Sequence, residues 1–189
     1  MLLYIKNMVC ERCITAVRHQ MENLNFLVSD ITLGTVQIHP DPEDRQLQNI
    51  ASSLKILGFE LMDKEKDQLV ERIKTVIIEI VHYSDLANLN QSLISIIAMR
   101  VNRDYTFLSR LFSDSEGLTI EKFIIHQKIE KVKELIEYGE LNLNEISMKM
   151  GYSSNAHLSS QFKAITGIAP SKYKAEGKSL RNPLDKIKN

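Results

Sequence analysis

Residues Leu143 to Lys163 read LNEISMKMGYSSNAHLSSQFK, and this stretch decides how the rest of the chain is understood. Leu143, Ile146 and Met150 fall on one face of a short helix. Gly151 stops it, because glycine reaches positive φ without a Cβ clash. Ser153 or Ser154 then offers a side-chain oxygen to cap a second helix, whose apolar face is Leu158, Phe162 and Ile165. Ser147 is small enough to let the two helices approach closely. Two short helices about a tight turn suit either a helix-turn-helix or an ordinary αα-hairpin in a helical core.

The chain contains the pattern twice. Leu108, Ser109, Phe112, Gly117 and Lys122 recur as Leu158, Ser159, Phe162, Gly167 and Lys172, a shift of 50. Leu118 and Phe123 recur conservatively as Ile168 and Tyr173. In the preceding helices Ile97, Ala98 and Val101 match Ile146, Ser147 and Met150, a shift of 49. The slip lies in the turn, where Asn102 stands opposite Gly151; asparagine tolerates the left-handed conformation next best after glycine. A repeat that keeps its turn chemistry as well as its apolar face argues for two copies of one supersecondary unit. The helix-turn-helix units are expected at about 90–113 and 141–166.

The second copy, EISMKMGYSSNAHLSSQFKAITGIAPSKY, resembles the signature of the AraC/XylS family of bacterial transcription regulators. Gly151, Tyr152, Phe162, Lys163, Gly167, Pro170 and Tyr173 all match, with Ser147 where the family usually has Ala and Lys128 where its linking helix usually has Arg. The resemblance covers about two thirds of the chain and implies double-stranded DNA as partner. It also implies that solvent-facing residues of the two recognition helices touch base edges. The matching positions are Thr106, Ser109 and Arg110 in the first helix and Asn155, Ala156, His157 and Ser160 in the second. Their chemistry suits the role: Arg110 can bind guanine bidentately, Asn155 adenine, and Ala156 can meet a thymine methyl. Arg103, Lys128 and Lys163 read as phosphate contacts that set register. A linking helix of about 20 residues, roughly 30 Å at 1.5 Å per residue, would place both recognition helices about one DNA turn apart.

Composition bounds the rest. At 189 residues the chain has room for one or two domains. No apolar run approaches the roughly 20 residues of a membrane span, and MLLYIKNMVCERC lacks the basic region and cleavage site of a signal peptide. The expected setting is the cytoplasm. The net charge is zero, yet residues 1–63 carry five basic and eight acidic residues, whereas from Lys149 onward there are eight basic and two acidic. A localised basic face suits a specific DNA reader. No acid–base or nucleophilic constellation marks an enzyme.

Upstream, the alternation Leu2–Lys6 reads as a strand, and Ile14, Val17, Met21 and Leu24 as one helix face. Leu27–Leu33 and Thr35–His39 form a hairpin about Gly34. A second helix starts in Asp41-Pro42-Glu43-Asp44, is apolar at Leu47, Ile50, Leu54 and Leu57, and stops at Gly58; Phe59–Met62 is a last strand. The fold class is therefore α+β: a ferredoxin-like βαββαβ domain over 1–63 and an all-α double helix-turn-helix domain over 64–189. The charge run Asp63–Asp67 marks the boundary. A helix Gln68–Tyr83 follows, the linking helix runs from about Thr119 to Tyr138, and Lys174–Asn189 reads as a fraying polar tail.

Asn7-Met8-Val9-Cys10-Glu11-Arg12-Cys13 lies between the first strand and first helix. Helix-terminal N–H groups and Arg12 there favour thiolates. Paired soft thiolates at Cys10 and Cys13 suit Cu(I) or another soft metal ion. The domain resembles the heavy-metal-associated family of copper chaperones and metal ATPases, whose Met-x-Cys-x-x-Cys loop joins the same elements and whose Gly-aromatic pair matches Gly58-Phe59. That family's usual glycine before the Met is Asn7 here. Homodimerisation, another ligand, or thiol redox chemistry are the other readings of this domain. RNA binding is disfavoured, because Thr35–His39 lacks stacking aromatics. The expectation is a DNA-binding transcription regulator that responds to a soft metal or other ligand. The rival is a metal-carrying or thiol-redox protein whose helical half binds protein.

Overall fold

The computed structural model describes residues 1–62, 65–89, 91–176 and 181–186. It divides into two compact units, Met1–Thr75 and Val76–Asn189. The division falls inside a helix, whereas the boundary expected at 63/64 lies outside the described residues.

The first unit runs β1 (Leu2–Lys6), α1 (Glu11–Asn23), β2 (Leu27–Thr32), β3 (Thr35–His39), α2 (Asp44–Ile56) and β4 (Glu60–Leu61), followed by the first part of α3 (Glu65–Tyr83). Its four strands form one antiparallel sheet in the order β2-β3-β1-β4. Strand periodicity decides what is buried. Leu3 and Ile5 of β1 and Val36 and Ile38 of β3 point to one face and meet Val17 and Met21 of α1 and Ile50 and Leu54 of α2. Gly34 takes φ +86° in the β2–β3 turn, where a side chain would be strained. A bulge between Val28 and Asp30 interrupts the edge strand β2. β4 is shorter than the apolar run 59–62 suggests, and Leu57 lies outside the buried face of α2 because the helix ends at Ile56.

The second unit is helical: the rest of α3, α4 (Leu93–Val101), α5 (Tyr105–Glu116), α6 (Ile120–Tyr138), α7 (Leu143–Lys149), α8 (Asn155–Thr166) and α9 (Pro170–Glu176), with 3-10 turns at Leu86–Asn88 and Leu184–Lys186. α6 is the spine. It buries Ile120, Phe123, Ile124, Ile129, Val132, Leu135 and Ile136, and α5, α7, α8 and α9 all pack on it.

The described parts of the tail expected to fray, 174–176 and 181–186, depart from that expectation, and the rest of it, 177–180 and 187–189, lies outside the described residues. α9 continues to Glu176, and residues 181–184 are tied to α6. Arg181 Nη2 donates to Glu134 (2.9 Å), Asn182 donates from its backbone N–H and side chain to Glu130 (2.9 and 3.1 Å), and Gln127 donates to the Leu184 carbonyl (3.2 Å). Glu130 also accepts from the buried Lys133 at 2.6 Å. The contacts to the Glu130 and Glu134 carboxylates are charge-assisted, and together with the Gln127 bond they tie 181–184 to α6 as a strap.

Candidate functional site

Each helix pair is held by local chemistry that the sequence specifies. In the first, the Ser92 hydroxyl accepts from Ser95 N–H and starts α4, and Asn102 ends it in the left-handed conformation at φ +56°. Asp104 then starts α5, its carboxylate accepting from Thr106 and Phe107 N–H at 2.8 and 3.3 Å. In the second, Asn142 and Glu145 form a capping box at the start of α7. Gly151 turns at φ +65°, and the Ser154 hydroxyl accepts from His157 N–H at 3.1 Å to start α8. Of the two serines considered for this cap, Ser154 takes the role.

Tertiary packing repeats as well. Ile97, Val101, Leu108 and Phe112 are buried, as are Ile146, Met150, Leu158 and Phe162. The rings of Phe112 and Phe123 stand 5.5 Å apart, and so do those of Phe162 and Tyr173, each residue displaced by 50. Position by position, Tyr105–Phe112 and Asn155–Phe162 show the same alternation of buried, half-buried and exposed residues. Ser147 is buried beside the turn and donates to the Asn144 carbonyl at 2.8 Å. Ile165 is 38% exposed, so the buried face of α8 ends with Phe162.

Two stripes of exposed residues result. On α5 they are Thr106, Phe107 and Arg110, and on α8 Ala156, His157, Ser160 and Lys163. Ser109 and Asn155 are half-buried, and Asn155 Oδ1 accepts from the Ser159 hydroxyl at 3.2 Å. His157 is fixed by a hydrogen bond with Ser153 (3.1 Å) and by edge-to-face contact with Tyr152 at 5.3 Å. Arg103 is exposed, and its guanidinium donates to the Asn102 carbonyl at 3.1 Å.

Lys128 is placed differently from the other cations. Its ammonium lies 4.3 Å from the centre of the Tyr152 ring, half-buried, and burial lowers its pKa. Tyr152 in turn donates to Gln161 at 2.7 Å. Lys128 therefore braces the second turn against α6, which sequence reasoning did not anticipate. Phe107 was also missed, since an aromatic residue inside an amphipathic helix is ordinarily assigned to the core.

In the first unit Cys10 and Cys13 are free thiols with sulfurs 3.3 Å apart, both half-buried. Cys10 precedes α1, and its carbonyl accepts from Cys13 N–H at 2.9 Å. Met8 is buried in the core. Asn7 adopts φ +71°, as glycine would, and its side chain donates to the Gly58 carbonyl at 3.0 Å, tying the thiol loop to the second turn. The expectation of a depressed thiol pKa fails at Cys13. Burial, with the neighbouring Cys10 sulfur adding to it, outweighs the nearby N–H groups and holds its pKa above the ordinary value. Among the described residues no group of three or more His, Cys, Asp or Glu side chains is gathered as for a metal ion. None of the described helices is long and apolar enough to cross a membrane.

Comparison with known proteins agrees with the helical geometry. The Msm operon regulatory protein of Streptococcus mutans is 31% identical over 80 residues, covering 42% of this chain and 29% of that protein. The probable transcriptional regulator LumQ of Photobacterium leiognathi is 25% identical over 152 residues, covering 76% of this chain and 57% of that protein. The chain thus spans well under two thirds of the length of these relatives. Among solved structures, the C-terminal domain of AraT, a response regulator from Geobacillus stearothermophilus, shares the fold with a TM-score of 0.50 at 23% identity, covering 60% of this chain and 88% of that one. The family described as "Helix-turn-helix domain" matches residues 97–176, which take in the second copy of the repeat and the first from the middle of α4 onward. The helical unit of this chain is thus similar to helix-turn-helix domains over residues 97–176.

Proposed function

We propose that the chain is a transcription regulator of the AraC/XylS type that binds double-stranded DNA sequence-specifically, with α5 and α8 reading two successive major-groove segments. The observation that carries this is the repeated helix pair, with its left-handed turn residues at Asn102 and Gly151 and matching exposed stripes on α5 and α8. A protein-docking hairpin has no need to present that face twice. Thr106, Arg110, Ala156, His157 and Ser160 are the exposed base-reading candidates, and Arg103 and Lys163 the exposed phosphate contacts. Selection of bound duplexes from a random pool, followed by affinity measured against salt, tests the reading. Neutralising several phosphates makes affinity fall steeply with salt. Arg110→Ala is expected to cost about 1–3 kcal/mol of base discrimination. Binding that is neither salt-dependent nor selective would refute it.

The first unit is read as ferredoxin-like and of the heavy-metal-associated kind, supported by its βαββαβ order and antiparallel β2-β3-β1-β4 sheet. The donor set fits a soft cation: two thiols on one loop, with no third ligand gathered nearby among the described residues. Cys10 and Cys13 would hold Cu(I), the metal supplying a charge and a bridge in place of two protons. A resting cytoplasmic regulator, monomeric or a homodimer sharing the metal, fits this picture. Cu(I) titration of the reduced protein and of Cys10→Ser distinguishes it from a thiol-redox role, which the 3.3 Å sulfur separation also suits.

A further inference from the structure

Phe107 sits in the first turn of α5 with 51% of its surface exposed, and among the described residues no aromatic ring packs against it. Its neighbours on the exposed stripe are Thr106, with a methyl group, and Arg110 one turn later. The equivalent residue in the second copy, His157, is polar and is held by Ser153 and Tyr152. The two copies therefore share a frame but differ in the chemistry of the same surface position.

We infer that Phe107, with the Thr106 methyl beside it, makes α5 a reader of the thymine C5-methyl group. The inference rests on the DNA-binding reading above. Residues at the start of a recognition helix are the ones that reach base edges. A phenyl ring neither donates nor accepts a conventional hydrogen bond, and the one apolar substituent on the major-groove edge of the four bases is the thymine methyl. The alternative contact for a first-turn residue is the phosphate backbone. Here the Asp104 carboxylate occupies that end of the helix, accepting from Thr106 and Phe107 N–H, so it repels phosphate and uses the amides that would bind one. Arg110, a turn further along, supplies the guanidinium that a neighbouring guanine takes bidentately. The half-site read by α5 is thus expected to pair a thymine with a nearby guanine, and α8, where the polar His157 stands in place of the ring, to depend on a thymine methyl only through Ala156.

The test uses the full chain and the duplex it selects from a random pool. Arg110→Ala identifies the half-site that α5 reads, as the half whose preference it relaxes. Each thymine is then replaced singly by deoxyuridine, which removes the methyl and leaves pairing intact. One position in the α5 half is expected to weaken binding about five- to tenfold, in line with the cost of losing one good base contact. Phe107→Ser should abolish that difference, and Phe107→Leu should keep most of it. Phe107 is exposed, so both variants are expected to fold, and unchanged salt dependence of binding confirms it. An α5 half without thymine, a duplex indifferent to deoxyuridine, or a uracil effect that survives Phe107→Ser each overturns the inference while leaving DNA binding intact. Intact selectivity in Phe107→Ser would instead leave that face to a protein partner. If no duplex is selected, the DNA-binding reading falls and this inference with it.

Discussion

Lys128 and Lys163 carry the same charge in opposite surroundings. Lys128 lies against the Tyr152 ring, half-buried, whereas Lys163 is exposed on α8. A partly desolvated cation over a ring contributes on the order of 1–2 kcal/mol. Lys128→Met is therefore expected to lower the unfolding free energy by about 1 kcal/mol and to leave the salt dependence of DNA binding unchanged. Lys163→Ala should do the reverse, leaving stability within about 0.5 kcal/mol and reducing the log–log salt slope by about one. Thermal unfolding and duplex titrations at several salt concentrations read the two effects separately. The distinction was not legible in the sequence, because a lysine in an amphipathic helix gives no sign of what ring it will meet. Cys13 teaches the same lesson: position near a helix start argues for a thiolate, and burial wins.

At the scale of elements, the helix starts and stops were the most legible part of the chain. Asn102 and Gly151 take positive φ where the turns were expected and Ser154 caps α8, because these signals are local; the caps at Ser92, Asp104, Thr119 and Asn142 and the positive φ at Gly139, found only in the structure, are of the same local kind. The strap at 181–184 was not legible, since its partners lie 47 to 57 residues upstream on α6. The polar network beneath it has a pH signature. His82 is buried and hydrogen-bonded to Gln127 at 2.8 Å. Burial first, then Lys131 and Arg181, hold its pKa below the ordinary 6.5, with the Gln127 bond and Glu134 opposing. The unfolded chain binds this proton more readily than the folded one, so the His82 contribution is complete above about pH 6.5 and declines as pH falls through that value. The decline is at most about 1.4 kcal/mol per pH unit until folded His82 also protonates. Urea unfolding between pH 7.5 and 5 is expected to show it, and His82→Gln to flatten it. His126, also lowered by burial, leaves a residual slope.

At the scale of the molecule, one chain carries two compact units of different chemistry, a sheet unit with a pair of thiols and a helical unit with a repeated helix pair. If occupancy of the first alters DNA affinity in the second, linkage requires DNA to alter metal affinity by the same factor, typically about 5–150-fold. Duplex affinity of the wild type with and without Cu(I), in parallel with Cys10→Ser, is expected to differ only for the wild type. Identical affinities throughout would reduce the first unit to an assembly or stability module. The compact units separate within α3, along which buried apolar residues continue from Val70 to Val81.

The two turns look like spare parts for one another, but exchange between them runs one way. At Gly151 an added Cβ would stand 3.2 Å from the Leu86 carbonyl oxygen, because the 3-10 turn Leu86–Asn88 presses on α7 there. Asn102 is exposed. Putting glycine at 102 is expected to cost under about 1 kcal/mol, whereas putting asparagine at 151 must push backbone aside and is expected to cost about 1–3 kcal/mol. Chemical unfolding of Asn102→Gly and Gly151→Asn would reveal the asymmetry. A duplicated unit that acquires a neighbour on one copy only has lost its freedom to drift on that side. The first copy can accept sequence from the second, and the second has become the template.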